Sequence, residues 1–145
     1  MDKLYIPGDL VSVYVGIKKY IVEVIGTENE NEVLSYQIKF PNGEIQYADK
    51  DNIAPIPLAP EILEKNGWKK EVMSRGVKNS HWVYTKPDIE EYGYFPIYIE
   101  KGIGDEFDVY PFTDNNVCKQ IAYIKYVHQL QHLLFGLGIN HEMEV

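Results

Sequence analysis

The chain has 145 residues, of which 45% are hydrophobic, 13% aromatic and 25% charged. This composition provides enough apolar material for a folded core and excludes a globally disordered chain. Fourteen Lys and Arg residues against 22 Asp and Glu residues give a net charge of −8. That charge disfavours general binding to nucleic acid or to anionic membranes, so we expect neither as a partner.

The cysteine content and the apolar runs narrow the class further. The single cysteine, Cys118, excludes an internal disulfide framework and a thiolate-rich zinc site. No apolar run reaches the roughly 20 residues of a membrane span. The first residues lack the basic and then apolar pattern of a secretory signal. We therefore expect a cytoplasmic protein.

Residues 1–57 have the pattern of short strands separated by turns. Alternating apolar residues predict strands over 10–14, 20–25, 33–40 and 45–48, a single helical turn over 49–52, and a fifth strand from Ile53. Asn42 and Gly43 predict a tight hairpin turn, because both tolerate positive φ. Five short strands in this arrangement favour a small SH3-like β-barrel, with a spacing that resembles Tudor-type barrels.

Residues 58–145 form the second predicted region. Prolines stiffen the connection between the regions, and a short helix is expected over 61–66. Strand patterns over 81–86, 94–100 and 106–112 predict an antiparallel meander, and an amphipathic pattern predicts a long helix over 117–135. The predicted fold class is therefore α+β: a small SH3-like barrel, followed by an antiparallel meander that packs against one long C-terminal helix.

Positive charge is concentrated in residues 65–86, which we call the basic segment. Six cations there oppose one glutamate, so the basic segment carries +5 and the rest of the chain −13. Cations beside flat aromatic rings suit a nucleotide-like ligand, with charge for the phosphate and a ring face for the base. The alternative is a solvated strand edge whose lysines discourage aggregation. The candidate ligand-binding residues in this segment are Lys69, Lys70, Arg75, Lys78, His81, Trp82 and Tyr84.

Two histidines and a glutamine mark the predicted C-terminal helix. His128 and His132 are four residues apart and share a helix face, as in some metal sites. The residue after His128 is Gln129, whereas metalloproteases require glutamate there, and Lys125 opposes cation binding. A structural or hydrogen-bonding role is therefore favoured over ligand contact, and we predict no metal and no cofactor.

Gln131 lies within the apolar arc of this helix, where a buried amide must find hydrogen-bond partners. We expect it to bond backbone groups at the end of a neighbouring strand. Lining a polar pocket or a subunit interface is the alternative. Gln131 and His132 therefore complete the set of candidate ligand-binding residues.

Two segments carry a family resemblance. Residues 56–68, IPLAPEILEKNGW, resemble the IPLTPEILEKNGF linker and helix of a widespread group of small proteins from Bacteroides-type bacteria, their phages and their mobile elements. Residues 126–135, YVHQLQHLLF, resemble the YVHQLQ terminal helix of the same group. Order and spacing agree over about half of the chain, with Ala59 and Trp68 as modest departures. The resemblance implies a bacterial or phage source and this architecture, and it assigns no general activity.

The phage setting implies a function by analogy, since phages there carry small proteins that sequester nucleotide immune signals. We therefore predict a non-catalytic anti-defence protein that binds a small anionic ligand. Its 12 tyrosines and the analogy favour a homo-oligomer. One alternative is a protein-binding adaptor that uses the barrel and the terminal helix, with contacts around Tyr36, Tyr47 or Phe135. Another is a nucleotide hydrolase that uses His128 and His132.

Overall fold

The computed structural model describes residues 5–74, 80–86, 97–102, 104–111 and 122–145. The fold is mixed α+β, with mostly antiparallel sheets and two α-helices among these residues. It divides into two compact units, one formed by residues 1–57, 126–143 and 145, the other by residues 58–125 and 144. No helix in the described ranges is long and apolar enough to cross a membrane.

The first unit is built on a five-stranded antiparallel sheet. Its strands are β1 (Leu10–Val15), β2 (Lys18–Glu30), β3 (Val33–Lys39), β4 (Ile45–Asp49) and β5 (Ile53–Pro55), in the order β4-β3-β2-β1-β5. A 3₁₀ turn, Lys50–Asn52, joins β4 to β5 and confirms the predicted helical turn. β2 is longer than the predicted 20–25, because it continues to Glu30, where Asn31 and Glu32 adopt positive φ and close a two-residue turn to β3.

The predicted hairpin at Asn42 and Gly43 is confirmed, although only Gly43 of the pair adopts positive φ. Gly43 has a φ of 90°, and its N–H donates to the Phe40 carbonyl at 2.9 Å. The Phe40 N–H donates to the Glu44 carbonyl at 2.8 Å, which closes the turn. The Asn42 side chain accepts from the Glu44 N–H at 2.9 Å, a local bond of the kind that makes asparagine favourable in turns.

The expected SH3-like barrel is not closed. Within the described residues, β4 and β5 are the two edges of the first sheet and do not pair with each other. The register of β2 with β3 shifts between Val24 and Gly26, an irregularity of the kind that bends strands. Strand periodicity predicts such a sheet but does not encode closure, which depends on strand tilt and register. One cluster of buried apolar side chains forms a core in this unit: Tyr5, Val11, Val13, Val22, Val24, Tyr36, Ile38, Phe40 and Ile53.

The second unit carries a short helix and a second antiparallel sheet. Helix α1 (Pro60–Lys65) begins with proline at its first turn, as expected. The strands are β6 (Lys69–Ser74), β7 (Ser80–Thr85), β8 (Ile97–Lys101), β9 (Phe107–Pro111) and β10 (Ala122–Ile124), in the order β10-β9-β8-β7-β6. Each strand neighbours the next in sequence, so the predicted meander is confirmed and is extended by β6 and β10.

The predicted C-terminal helix over 117–135 is wrong over residues 122–126. Helix α2 spans Val127–Gly136, residues 122–124 form β10, and residues 117–121 lie outside the described part of the chain. The apolar spacing of this segment fits a helix, but Ala122–Ile124 pairs with β9, so tertiary context overrides the local pattern. α2 groups with the first unit rather than with residues 58–125.

Candidate functional site

The basic segment lies largely on β6 and β7 of the second unit. These strands pair antiparallel, with Lys69 opposite Thr85 and Lys70 opposite Tyr84. Lys69 and Lys70 are exposed on β6, which is an edge of its sheet among the described strands. Four other candidate side chains lie outside the described part of the structure: Arg75, Lys78, His81 and Trp82.

Tyr84 is a core residue of the second unit. Only 5% of its surface is exposed, so its ring face is not presented to solvent as base stacking requires. Burial raises the pKa of the Tyr84 phenol, and the carboxylates of Glu64 and Glu61 raise it further. The predicted stacking role of Tyr84 is therefore incompatible with its buried position. Alternation along a strand predicts which side chains share a face, but it does not predict which face is buried.

Gln131 bridges α2 and the loop that precedes β1. Its Nε2 donates to the Gly8 carbonyl at 3.0 Å, and its Oε1 accepts from the Leu10 N–H at 3.0 Å. Gln131 is 3% exposed, so these bonds satisfy an amide that would otherwise be costly to bury. The structural role expected for this glutamine is confirmed.

His132 is held by a buried carboxylate that sequence reasoning missed. Its Nε2 lies 2.9 Å from Oδ1 and 2.7 Å from Oδ2 of Asp9 and donates to this carboxylate. Asp9 is 2% exposed, and its Oδ2 also accepts from the Ile6 N–H at 2.9 Å. A buried carboxylate requires such partners, so His132 supports the same loop as Gln131. The Gly-Asp pair before β1 marks this carboxylate in the sequence. No pattern near it in the sequence indicates that His132 is its partner.

Tyr5 adds a buried phenol beside this network. Its ring packs edge-to-face on Tyr36 and on His128, with centroid distances of 5.4 and 5.1 Å. The Tyr5 hydroxyl is buried and has no hydrogen-bond partner among the described residues. Burial raises the pKa of Tyr5 to about 12, and Tyr36 and Asp9 add to the shift.

The chemistry of the histidine pair is limited in the described structure. The rings of His128 and His132 lie edge-to-face at 5.5 Å. Within the described ranges, no group of three or more His, Cys, Asp or Glu side chains is arranged to hold a metal ion. An Asp–His pair is also two of the three members of a catalytic triad, which needs a nucleophilic hydroxyl or thiol as its third. The described hydrogen bonds of the His132 side chain go to Asp9, not to a hydroxyl or thiol.

An open groove of about 700 Å³ lies in the first unit, and we call it the acidic groove. It carries three carboxylates, Glu28, Glu30 and Asp49, and none of its lining residues is Lys or Arg. Tyr14 and Tyr47 border it and are 62% and 61% exposed. The apolar side chains that line it and are buried are Val13, Ile38 and Phe40. This combination was not predicted, because it depends on register between strands distant in sequence.

The three residues expected to contact a partner in the adaptor alternative lie partly at the surface and partly in the core. Tyr36 is fully buried in the core of the first unit, so its predicted role as a surface contact is wrong. Tyr47 and Phe135 are each 61% exposed. Tyr47 lines the acidic groove, whereas Phe135 packs edge-to-face on His141 at 5.1 Å.

No protein-family model, curated protein sequence or solved structure matches this chain. The resemblance to small Bacteroides-type and phage proteins therefore stays a prediction.

Replacing Gln131 by leucine tests its role between α2 and β1. Gln131→Leu removes both amide bonds and leaves the partly buried Leu10 N–H without its partner, so we expect a loss of about 2 kcal/mol in the free energy of unfolding. Gln46→Leu is the control, because Gln46 is exposed and bonds the exposed Glu44. Urea denaturation measures both variants, and an equal effect in the two would contradict the bridging role.

The Tyr5 phenol predicts loss of stability at high pH. Its folded-state pKa of about 12 exceeds the ordinary value of 10.0, so its contribution is full below pH 10 and is lost as the pH rises to 12. Tyr5→Phe should therefore reduce the fall in unfolding free energy between pH 10 and 12. At pH 7 it should be neutral or stabilise by about 1 kcal/mol, since the hydroxyl has no described partner. An unchanged pH dependence would refute the assignment.

Proposed function

We propose that the chain is a non-catalytic binding protein that holds a protein partner in the acidic groove. The observation that carries this proposal is the groove itself, where exposed aromatic rings border buried apolar side chains. Exposed tyrosine beside apolar surface is typical of protein-binding sites, since tyrosine buries a large area and keeps a polar tip. This is the adaptor function, now centred on Tyr47 and Tyr14 rather than on Tyr36.

Curvature of the first sheet supports the proposal. β1 and β4 are separated by two strands in the sheet order, yet Tyr14 of β1 and Tyr47 of β4 line the same groove. The first sheet is therefore curled and open rather than a closed SH3-like barrel. It brings side chains from both ends of the sheet onto one ligand.

A second candidate function is capture of a small anionic, nucleotide-like ligand by the basic segment. The observation that favours it is the pair of exposed lysines, Lys69 and Lys70, on an edge strand of a protein with a net charge of −8. Sequestration of an immune nucleotide in a phage setting, and the proposed homo-oligomer, belong to this candidate. It no longer relies on Tyr84.

Selection from a random peptide library tests the leading proposal. We expect enriched peptides to bind at least tenfold more weakly to Tyr47→Ser, a loss of about 1.4 kcal/mol. Tyr123→Ser is the matched control, because Tyr123 is 64% exposed on β10 of the second unit. Fluorescence anisotropy measures each dissociation constant. Failure to enrich any peptide, or equal binding to both variants, would contradict the proposal.

The second candidate is tested by thermal shift against cyclic dinucleotides, cyclic ADP-ribose isomers and plain nucleotides. A ligand that binds the native state raises its melting temperature. The shift should disappear in the double variant Lys69→Ala, Lys70→Ala and persist in Lys101→Ala, an exposed lysine on β8 of the same unit. The absence of any shift for the unmodified protein would exclude this candidate.

A further inference from the structure

We infer that the acidic groove binds an extended segment of the partner in which basic and apolar residues alternate, added as a strand along the open edge of β4. This inference rests on the proposed protein-binding function and names the chemistry of its ligand. It combines an edge of β4 that no described strand pairs with, the two faces of β4 and the charge of the groove.

The edge of β4 lacks the protection that the other described sheet edges carry. β5 is three residues long and contains Pro55, β10 is also three residues long, and β6 carries Lys69 and Lys70. Short length, proline and lysine are the usual means by which proteins prevent pairing at a sheet edge. β4 has five residues, Ile45–Asp49, with neither lysine nor proline, and its central residue Tyr47 is exposed. Such an edge is suited to accept a further strand.

The acidic groove follows this edge. Tyr47 and Asp49 lie on one face of β4, Gln46 and Ala48 lie on the other, and all four line the groove. An extended segment along the edge would also direct alternate side chains to the two faces. The groove therefore has the geometry for a strand whose two sets of side chains meet different surroundings.

Those surroundings differ in charge. Glu28 pairs with Ser35, and Ser35 pairs with Asp49, so the two carboxylates flank one serine across three strands on the same face. Glu30 is two residues from Glu28 and shares its face. The other face of β4 carries Ala48, which pairs with the buried Tyr36. The apolar Ile38 lines the groove on that face. The complementary ligand places cations on the first face and apolar side chains on the second.

Charge also decides against a second copy of this chain as the occupant. A copy that paired through β4 would bring the segment Ile45–Asp49, which has one carboxylate and no cation, to a groove that already carries three carboxylates. It would therefore add negative charge where the groove favours positive charge. A basic segment instead gains from the three carboxylates, and its binding should weaken as salt screens the attraction.

The experiment compares synthetic eight-residue peptides by fluorescence anisotropy on the intact protein. The test peptide alternates lysine and valine, and its control has the same composition in two blocks. We expect the alternating peptide to bind at least tenfold more tightly at 50 mM salt. Binding should weaken at least threefold at 300 mM salt. Equal binding of the two peptides, or an affinity that salt does not change, overturns the inference.

Matched variants locate the charges. The double variant Glu28→Gln, Asp49→Asn should weaken the alternating peptide at least fivefold and reduce its salt dependence. Glu142→Gln, which neutralises an exposed carboxylate of the same unit outside the groove, should leave binding unchanged. Circular dichroism confirms that both variants are folded. Equal weakening in the double variant and in Glu142→Gln overturns the assignment to the groove.

Backbone methylation of the peptide tests strand addition itself. Methylating the amide nitrogens of the lysines blocks one edge of the extended peptide, and methylating those of the valines blocks the other. Since β4 pairs with one edge only, one methylated peptide should lose at least tenfold in affinity and the other should bind within threefold of the parent. Equal effects overturn strand addition. If alternating peptides fail but library peptides still require Tyr47, this inference falls and the proposed function stands. If the protein alone forms a dimer through β4, a second copy is the occupant and the inference falls.

Discussion

The first unit depends on the polar contacts that α2 makes with the loop before β1. Asp9 is a buried carboxylate, and Gln131 a buried amide, so each would destabilise the fold without its partners. The His132 ring meets the Asp9 carboxylate, and the Gln131 amide bonds the backbone of Gly8 and Leu10. These contacts join segments more than 120 residues apart in the chain. They fix the point at which β1 begins.

The position of β1 then determines the acidic groove. β1 pairs with β2 on one side and with β5 on the other, so its register sets both neighbours. Its last residues contribute Tyr14 and Val15 to the groove, and the far edge of the sheet contributes β4. A displacement of β1 by one residue would move its side chains to the opposite face. The contacts of Gln131 and His132 with the loop before β1 therefore support the acidic groove, although neither residue lines it.

Local patterns in the sequence predicted much of the fold and less of the site. Asn42 and Gly43 identified their hairpin, because turn chemistry is decided by adjacent residues. The helix expected over 117–135 was wrong over 122–126, because Ala122–Ile124 pairs with β9, and periodicity carries no information on such a pairing. Asp9 was missed as the partner of His132, and the acidic groove was missed because Glu28 and Asp49 meet only through the register of β3. Whether the first sheet closes into a barrel likewise depends on strand tilt and register, which the sequence pattern does not encode.

We expect the unprotected edge of β4 to accept an extended basic segment. Hydrogen exchange of the β4 backbone amides, measured by NMR with and without the alternating lysine–valine peptide, tests it most directly. Amides of β4 that point away from β3 exchange with solvent in the free protein and should become protected when a strand is added. We expect the backbone amides of alternate residues of Ile45–Asp49 to become newly protected from exchange. Unchanged exchange in β4 at saturating peptide, or protection confined to β6 and β7, would contradict it.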